Sequence, residues 1–287
     1  MRKKLFCTLV LILAVLTVQA QMNIKVSTGR IFRQDTIDYK VLTVQYDMEA
    51  LINLSKPDEP VKETMRLDIG RKSSRFYSYT AFLLDSVLAV DVANGASTEL
   101  MARHAKQYQS LWSEQTFKRY PDEKTTTLDE IAGEIARLRC EEEKEEPLWT
   151  LSQDTLTVLG YRCFLATTDF KGRRWSAWFT PDIPVSEGPW KLAGLPGLVL
   201  KAEEEEGHYR FMANGIEQCR ETVPILFNGT DYEPVNRKQY AKVHERYFTD
   251  PIGFITSTMP NVKITVKDKH GNPTQDVRDM PYNPIER

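Results

Sequence analysis

The feature that most constrains the fold is the run Gly188-Pro189-Trp190-Lys191-Leu192-Ala193-Gly194-Leu195-Pro196-Gly197-Leu198-Val199. Glycines and prolines sit here among apolar residues, with a single charged side chain. Solvated loops are polar, so an apolar turn has to pack against something. Pro196 presets φ near −65°, and Gly197 can take the positive φ that a type II turn needs at its third position. Leu195 to Leu198 therefore reads as a type II turn with a leucine at each end. The run holds no nucleophile, general base or metal ligand, so it makes shape rather than chemistry.

The surrounding sequence supplies the strands for such a turn to join. Leu42, Val44, Tyr46 and Met48 alternate with Thr43, Gln45 and Asp47, the period of a half-buried strand. Residues 51–62 read as a loop. Met65, Leu67 and Ile69 repeat the alternation, and Arg75 to Tyr79 continues the sheet. After Pro147, short aromatic and β-branched segments follow one another at 149–151, 155–159, 161–168 and 173–180. Segments 199–203 and 208–216 flank Glu204-Glu205-Glu206-Gly207, a hairpin with a charged tip. A last hairpin is expected from 262–267 and 275–278 around His270-Gly271-Asn272-Pro273.

Helices are expected in between. Residues 98–112 have loosely helical spacing. Thr127-Leu128-Asp129-Glu130 has capping-box form, and Leu128, Ile131, Ile135 and Leu138 would share one helical face. The acidic run 141–146 reads as the solvated end of that helix, and Asn236 caps a further helix to Phe248. Strands are grouped and do not alternate with helices. The fold class is thus α+β, predominantly antiparallel β: a curved sheet or sandwich-like body with two or three inserted helices.

Several pieces of this chain together resemble the GLPGLI family, secreted proteins of Bacteroidetes-type bacteria. They are Gly160-Tyr161-Arg162-Cys163, then Gly172-Arg173-Arg174-Trp175-Ser176-Ala177-Trp178-Phe179-Thr180-Pro181-Asp182-Ile183-Pro184, then Gly188-Pro189-Trp190 and Gly194-Leu195-Pro196-Gly197-Leu198-Val199. The tail Asn283-Pro284-Ile285-Glu286 also resembles the family's ending. Val199 stands where the family name has isoleucine, and Trp190 where a smaller aromatic is expected. The family has no established biochemical function, so the resemblance implies an exported protein and assigns no catalytic residue.

Residues 1–20 read as a secretory signal peptide: Arg2, Lys3 and Lys4, an apolar stretch from Leu5 to Val18, and Val18-Gln19-Ala20 before the cleavage point. The apolar stretch is too short to span a bilayer comfortably, and no later run is long and apolar enough. Residues 21–287 then form one domain in the periplasm or at the cell surface, with no membrane span after cleavage. Loss of three basic residues moves the net charge from −2 to −5, with 35 basic against 40 acidic residues. That balance gives no footprint for nucleic acid. Cys140, Cys163 and Cys219 remain, and in an oxidising compartment one disulfide and one free thiol are expected, with the pairing open.

No motif asks for a cofactor, and neither the cysteines nor His104, His208, His244 and His270 have metal-ligand spacing. In the strand at 173–180, Trp175, Ala177 and Phe179 face one side and Trp178 the other. One reading is a central strand covered on both faces. The other is that Trp175, Trp178 and Trp190, with Leu195, Pro196 and Gly197 of the turn, line a binding groove. Asp35-Thr36-Ile37, Asp85-Ser86-Val87 and Asp154-Thr155-Leu156 fit a short bacterial O-glycosylation pattern. The sequence thus predicts an exported, non-enzymatic module that binds an envelope protein, a peptide or a glycan. The alternative is a hydrolase of glycans or peptides, with two carboxylates in a pocket beside Trp178 or Trp190, one of them with a raised pKa.

Overall fold

A computed structural model describes residues 34–259, 266–267, 273–274 and 281–287. The signal-peptide segment, His270 and the strand expected at 275–278 lie outside the described residues.

Strands β1 (Asp35–Ala50), β2 (Val61–Gly70) and β3 (Ser74–Ser78) lead into helices α1 (Tyr79–Ala93) and α2 (Thr98–Gln107). Strands β4 (Gln115–Lys118), β5 (Thr125–Ile131), β6 (Ala136–Glu142), β7 (Thr150–Val158), β8 (Tyr161–Phe170), β9 (Arg173–Thr180), β10 (Leu198–Glu204), β11 (Tyr209–Gln218), β12 (Pro224–Phe227) and β13 (Glu233–Val235) follow. Helices α3 (Arg237–Thr249) and α4 (Pro251–Thr258) come next, then the two-residue strands β14 (Val266–Lys267) and β15 (Pro273–Thr274).

Strands β1 to β13 make one large open sheet in the order β13-β6-β5-β4-β3-β2-β1-β11-β10-β9-β8-β7, with β12 paired to the amino-terminal part of β1. Only the β13–β6 pairing is parallel among these. The predominantly antiparallel α+β class is therefore present, with four helices among the described residues rather than two or three. The alternation in β1 does what its period demands. Leu42, Val44, Tyr46, Met48 and Ala50 are all buried in the main core. On that face Phe76 meets Tyr46 and Phe211 edge-on, and Trp175 stacks on Phe211. Each such buried ring or branched side chain contributes about 1.5–3 kcal/mol.

The helix expected over 127–138 is absent. Residues 125–131 and 136–142 instead form the antiparallel pair β5–β6, linked by a short 3-10 turn at Gly133–Ile135. The spacing is ambiguous for a physical reason. Residues three apart share a helical face but lie on opposite faces of a strand. Here both sheet faces are covered: Leu128 packs with Phe117, Phe227 and Tyr232, while Ile131 and Leu138 pack under α3 and α4 with Tyr240, Phe254 and Ile255. The β-branched run Thr125-Thr126-Thr127 favours the strand.

Other expectations need correction. The acidic run is not a frayed helix end: Glu141 and Glu142 close β6. Glu204 is not part of a solvated tip, being buried against Arg173. Cys140, Cys163 and Cys219 are all free thiols, on β6, on β8 and just after β11 respectively. Helix α3 starts where expected, with Asn236 and Gln239 forming a capping box. Among the described residues no helix is long and apolar enough to cross a membrane.

Candidate functional site

The apolar run forms a lock rather than the turn expected. Gly197 has no positive φ; Trp190 at 50° and Gly194 at 91° carry the left-handed backbone. Gly197 is required for a different reason. A Cβ there would lie 2.1 Å from the carbonyl oxygen of Thr180, at the end of β9. The left-handed backbone at Trp190 accompanies an inward ring, 5.6 Å from Trp175 and 5.9 Å from Phe170. Leu195 is buried in the same core.

Of the residues expected to line a groove, Trp175 and Trp190 are thus fully buried. Trp178 lies on the opposite face of β9 and is half-buried. Pro196 is exposed beside buried Leu195 and Gly197. Four of the six, Trp175, Trp190, Leu195 and Gly197, are buried, and their packing shapes the core.

The buried charges of the same region are paired. Glu187 meets Lys118 at 2.7 Å and also Arg119; burial would raise its pKa, but these two cations hold it low. Lys191 Nζ lies 2.5 Å from Glu142 and 2.9 Å from Glu286. Arg173 donates to Asn283 Oδ1 at 2.7 Å and to the Ile285 carbonyl at 3.0 Å, and pairs with Glu204 at 3.2 Å. Asn283 in turn donates to the Leu51 carbonyl at 2.7 Å. The motifs at 172–174 and 283–286 therefore form one clasp that fixes the chain's end to the sheet.

The chemistry collects elsewhere, beneath α3. A groove of about 590 Å³ runs between that helix and the carboxy-terminal segment, lined by Arg237, Tyr240, His244, Phe248, Tyr282 and Glu286 among others. The helical period places Tyr240, His244 and Phe248 on one face. Tyr282 lies flat over that face, with its ring 4.1 Å from Phe248 and 5.5 Å from His244. A smaller crevice of about 90 Å³ shares His244, Phe248 and Tyr282 with the groove and reaches Trp112, Ser113, Glu114 and Asp129.

Asp129, on β5, is saturated. Its Oδ1 accepts from Ser113 Oγ at 2.5 Å and from the Glu130 N–H at 2.8 Å. Its Oδ2 accepts from Tyr240 Oη at 2.8 Å and faces His244 Nε2 at 2.9 Å. Burial would raise its pKa, but His244, Ser113 and Tyr240 outweigh this and hold it low. Glu114 stands just before β4. Its Oε2 lies 3.1 Å from the same Tyr240 hydroxyl. Burial first, and then the charge of Asp129, push its pKa up to about 7.

One hydroxyl proton faces two carboxylates. If Tyr240 donates to Asp129, the Glu114 contact is good only when Glu114 carries a proton and donates to Tyr240 Oη. Among the described residues no lysine or arginine forms a salt bridge with Glu114. The His244 Nε2 contact is at ion-pair distance, but neither Nε2 nor Nδ1 completes a hydrogen bond among the described residues.

The alternative hydrolase reading places two carboxylates beside Trp178 or Trp190; the two carboxylates that share a crevice here, Glu114 and Asp129, lie beside Trp112. Sequence reading missed Glu114 and Asp129 because they are brought together by sheet pairing and not by local spacing. The one available signal was Asp129, a carboxylate inside a threonine-rich strand. Of the other histidines, His104 pairs with Asp91 at 2.6 Å and His208 lies 3.4 Å from Glu206. Glu204, Glu206 and His208 cluster closely enough to hold a metal ion, but Arg173 and Arg287 already neutralise the two carboxylates. Thr36, Ser86 and Thr155 are exposed.

Comparison with known proteins adds little chemistry. No curated protein matches this chain. Two solved structures of PNGF-II, in space groups P21 and C2, are similar at TM-score 0.45, with 13% and 12% identity; they cover 71% and 70% of this chain. This chain spans 32% of the length of each. Residues 170–201, which overlap the segment resembling GLPGLI proteins, match a family described as a protein of unknown function (Porph_ging).

Proposed function

We propose that this is an exported cell-envelope binding module of GLPGLI type, and that it takes a short peptide segment of a partner protein in the groove along α3. The groove itself is the observation that carries this reading. It is concave, has an aromatic middle and bears charges of both signs, Arg237 with Glu286 toward one end and Glu245 on its wall. Such a mixture suits apolar anchoring with polar orientation. Tyr282 turns a ring face to Phe248, which favours inserted side chains over a sugar stacked flat. The test is retention of a degenerate short-peptide pool by the full chain and by Phe248→Ala. The variant should lose at least about tenfold in retention; equal retention contradicts the reading.

A second reading, a carboxylate-dependent hydrolase, has one observation in its favour: Glu114 and Asp129 are pushed in opposite directions around one tyrosine hydroxyl, the usual way that one acid and one base are separated. It requires cleavage of a peptide or glycan that is lost in Glu114→Gln. The saturated bonding of Asp129 weighs against it, since a nucleophile or base needs a free lone pair aimed at substrate.

A further inference from the structure

We propose that the floor of the groove is a recognition site for the ammonium group of a lysine side chain, inserted from the bound peptide. The inference rests on the groove being the peptide site and names the side chain it reads.

The first observation is a missing partner. Buried carboxylates are paired or protonated, because an isolated charge is costly away from water. Elsewhere in this protein the rule is met by cations: Lys118 and Arg119 for Glu187, Arg173 for Glu204, Lys40 for Asp68. Half-buried Glu114 has, among the described residues, only a tyrosine hydroxyl shared with Asp129. Arg237 pairs with Glu286 at 2.7 Å and Lys191 with Glu142 and Glu286; both temper the rise of the Glu114 pKa, but neither forms a salt bridge with it, and one Arg237 nitrogen has no hydrogen-bond partner among the described residues.

The second observation is independent. His244 is more than nine-tenths buried, lines both the groove and the crevice, and leaves Nδ1 without a hydrogen-bond partner among the described residues. Nε2 lies 2.9 Å from the Asp129 carboxylate, and neither ring nitrogen completes a hydrogen bond among the described residues. A carboxylate without an ion-pair partner, in an aromatic crevice, asks for a donor-rich positive group, and the unpartnered imidazole edge beside it marks polar capacity still unused.

The walls fit the rest of a lysine. Trp112, Tyr209, Phe248 and Tyr282 surround the crevice, which suits a methylene stem, and aromatic rings attract an ammonium. The groups facing Glu114 are Asp129 from β5, Tyr240, His244 and Arg237 from α3, Lys191 from the apolar run, and Tyr282 and Glu286 from the chain's end. Insertion of an ammonium would favour ionised Glu114, so binding near pH 6 releases a proton: Glu114 passes from carboxylic acid to carboxylate as the ion pair forms.

The test titrates the full chain with blocked lysine (acetylated α-amine, amidated carboxyl) and with the same molecule acetylated on the side-chain amine. Binding is followed by NMR of the Phe248, Tyr282 and His244 ring signals, and by calorimetry at pH 6 in buffers of different ionisation enthalpy. The expected result is saturable binding of blocked lysine, at least tenfold weaker binding of the acetylated form, and release of close to one proton. Affinity should fall almost tenfold per pH unit below about 7. Glu114→Gln should lose at least tenfold with ring signals otherwise native. Should that variant fail to fold, proton release by the unmodified chain still decides. Equal binding of the two probes, no binding of either, or binding without proton release overturns the site. Retention of the peptide pool sensitive to Phe248→Ala but indifferent to lysine acetylation would leave the groove standing and remove only this inference.

Discussion

Around the clasp, buried charges meet opposite ones: Arg173 with Glu204, Glu187 with Lys118 and Arg119, Lys191 with Glu142 and Glu286. Beneath α3, Glu114 meets a hydroxyl and another carboxylate, and His244 keeps an idle nitrogen. The first arrangement is what a fold needs to close on itself. The second is unfavourable in isolation, and a closed, self-sufficient core has no use for it. Incomplete satisfaction of this kind is a mark of a site. The comparison therefore separates the segment that matches a family model from the segment that offers chemistry.

The largest effect should come from breaking a completed pair. Glu187→Ala leaves Lys118 buried without its carboxylate and should cost about 3–5 kcal/mol in urea unfolding. Gly197→Val drives a side chain into the Thr180 carbonyl and should cost about 3 kcal/mol or prevent folding. If either variant unfolds like the parent protein, the apolar run is not a structural lock.

Adjacent arginines give a sharper contrast. Arg173 is fully buried in the clasp, whereas Arg174 is largely exposed and lies 3.9 Å from an exposed Asp169. Arg173→Ala should destabilise by about 3 kcal/mol or more. Arg174→Ala should change stability by no more than about 0.5 kcal/mol. Comparable losses would mean that the motif matters for something other than closure.

The smallest effect lies beneath α3. Glu114 has a pKa raised from its ordinary 4.5 to about 7, so the folded state holds its proton more tightly than the unfolded chain does. Stability from this group is complete below pH 4.5, declines as pH rises toward 7 and is then level. Given its partial exposure the decline should be about 1–2 kcal/mol. Glu114→Gln should flatten this part of the stability–pH curve at little cost in stability at pH 8. A variant that keeps the full decline would place its origin in another group.

Sequence carried the sheet well where one face is buried and little else competes. β1, β2 and the strands from β7 to β11 follow from alternation and from breaks at Gly160, Gly172 and Gly207. It failed at β5–β6, where burial on both faces erases the alternation and leaves a spacing that a helix would share. It did not reveal α1, whose apolar residues lie all round the helix with none of them buried. The candidate site was legible only in kind. The alternative reading expects two carboxylates, one with a raised pKa, beside Trp178 or Trp190, whereas Glu114, Asp129 and His244 are joined by pairing across β4 and β5 and by the packing of α3. No local spacing records such a meeting. The signature rings Trp175 and Trp190 drew attention because their pattern is conspicuous, and that pattern reflects packing.

The most direct measurement is the titration of the Glu114 side chain in the folded protein, followed by NMR of its carboxyl carbon. A midpoint near 7, moving downward when blocked lysine is added, is the expected result. A midpoint near 4.5, unmoved by the probe, would mean that this carboxylate is as well served as those of the clasp, and the division of the molecule into a lock and a site would fail.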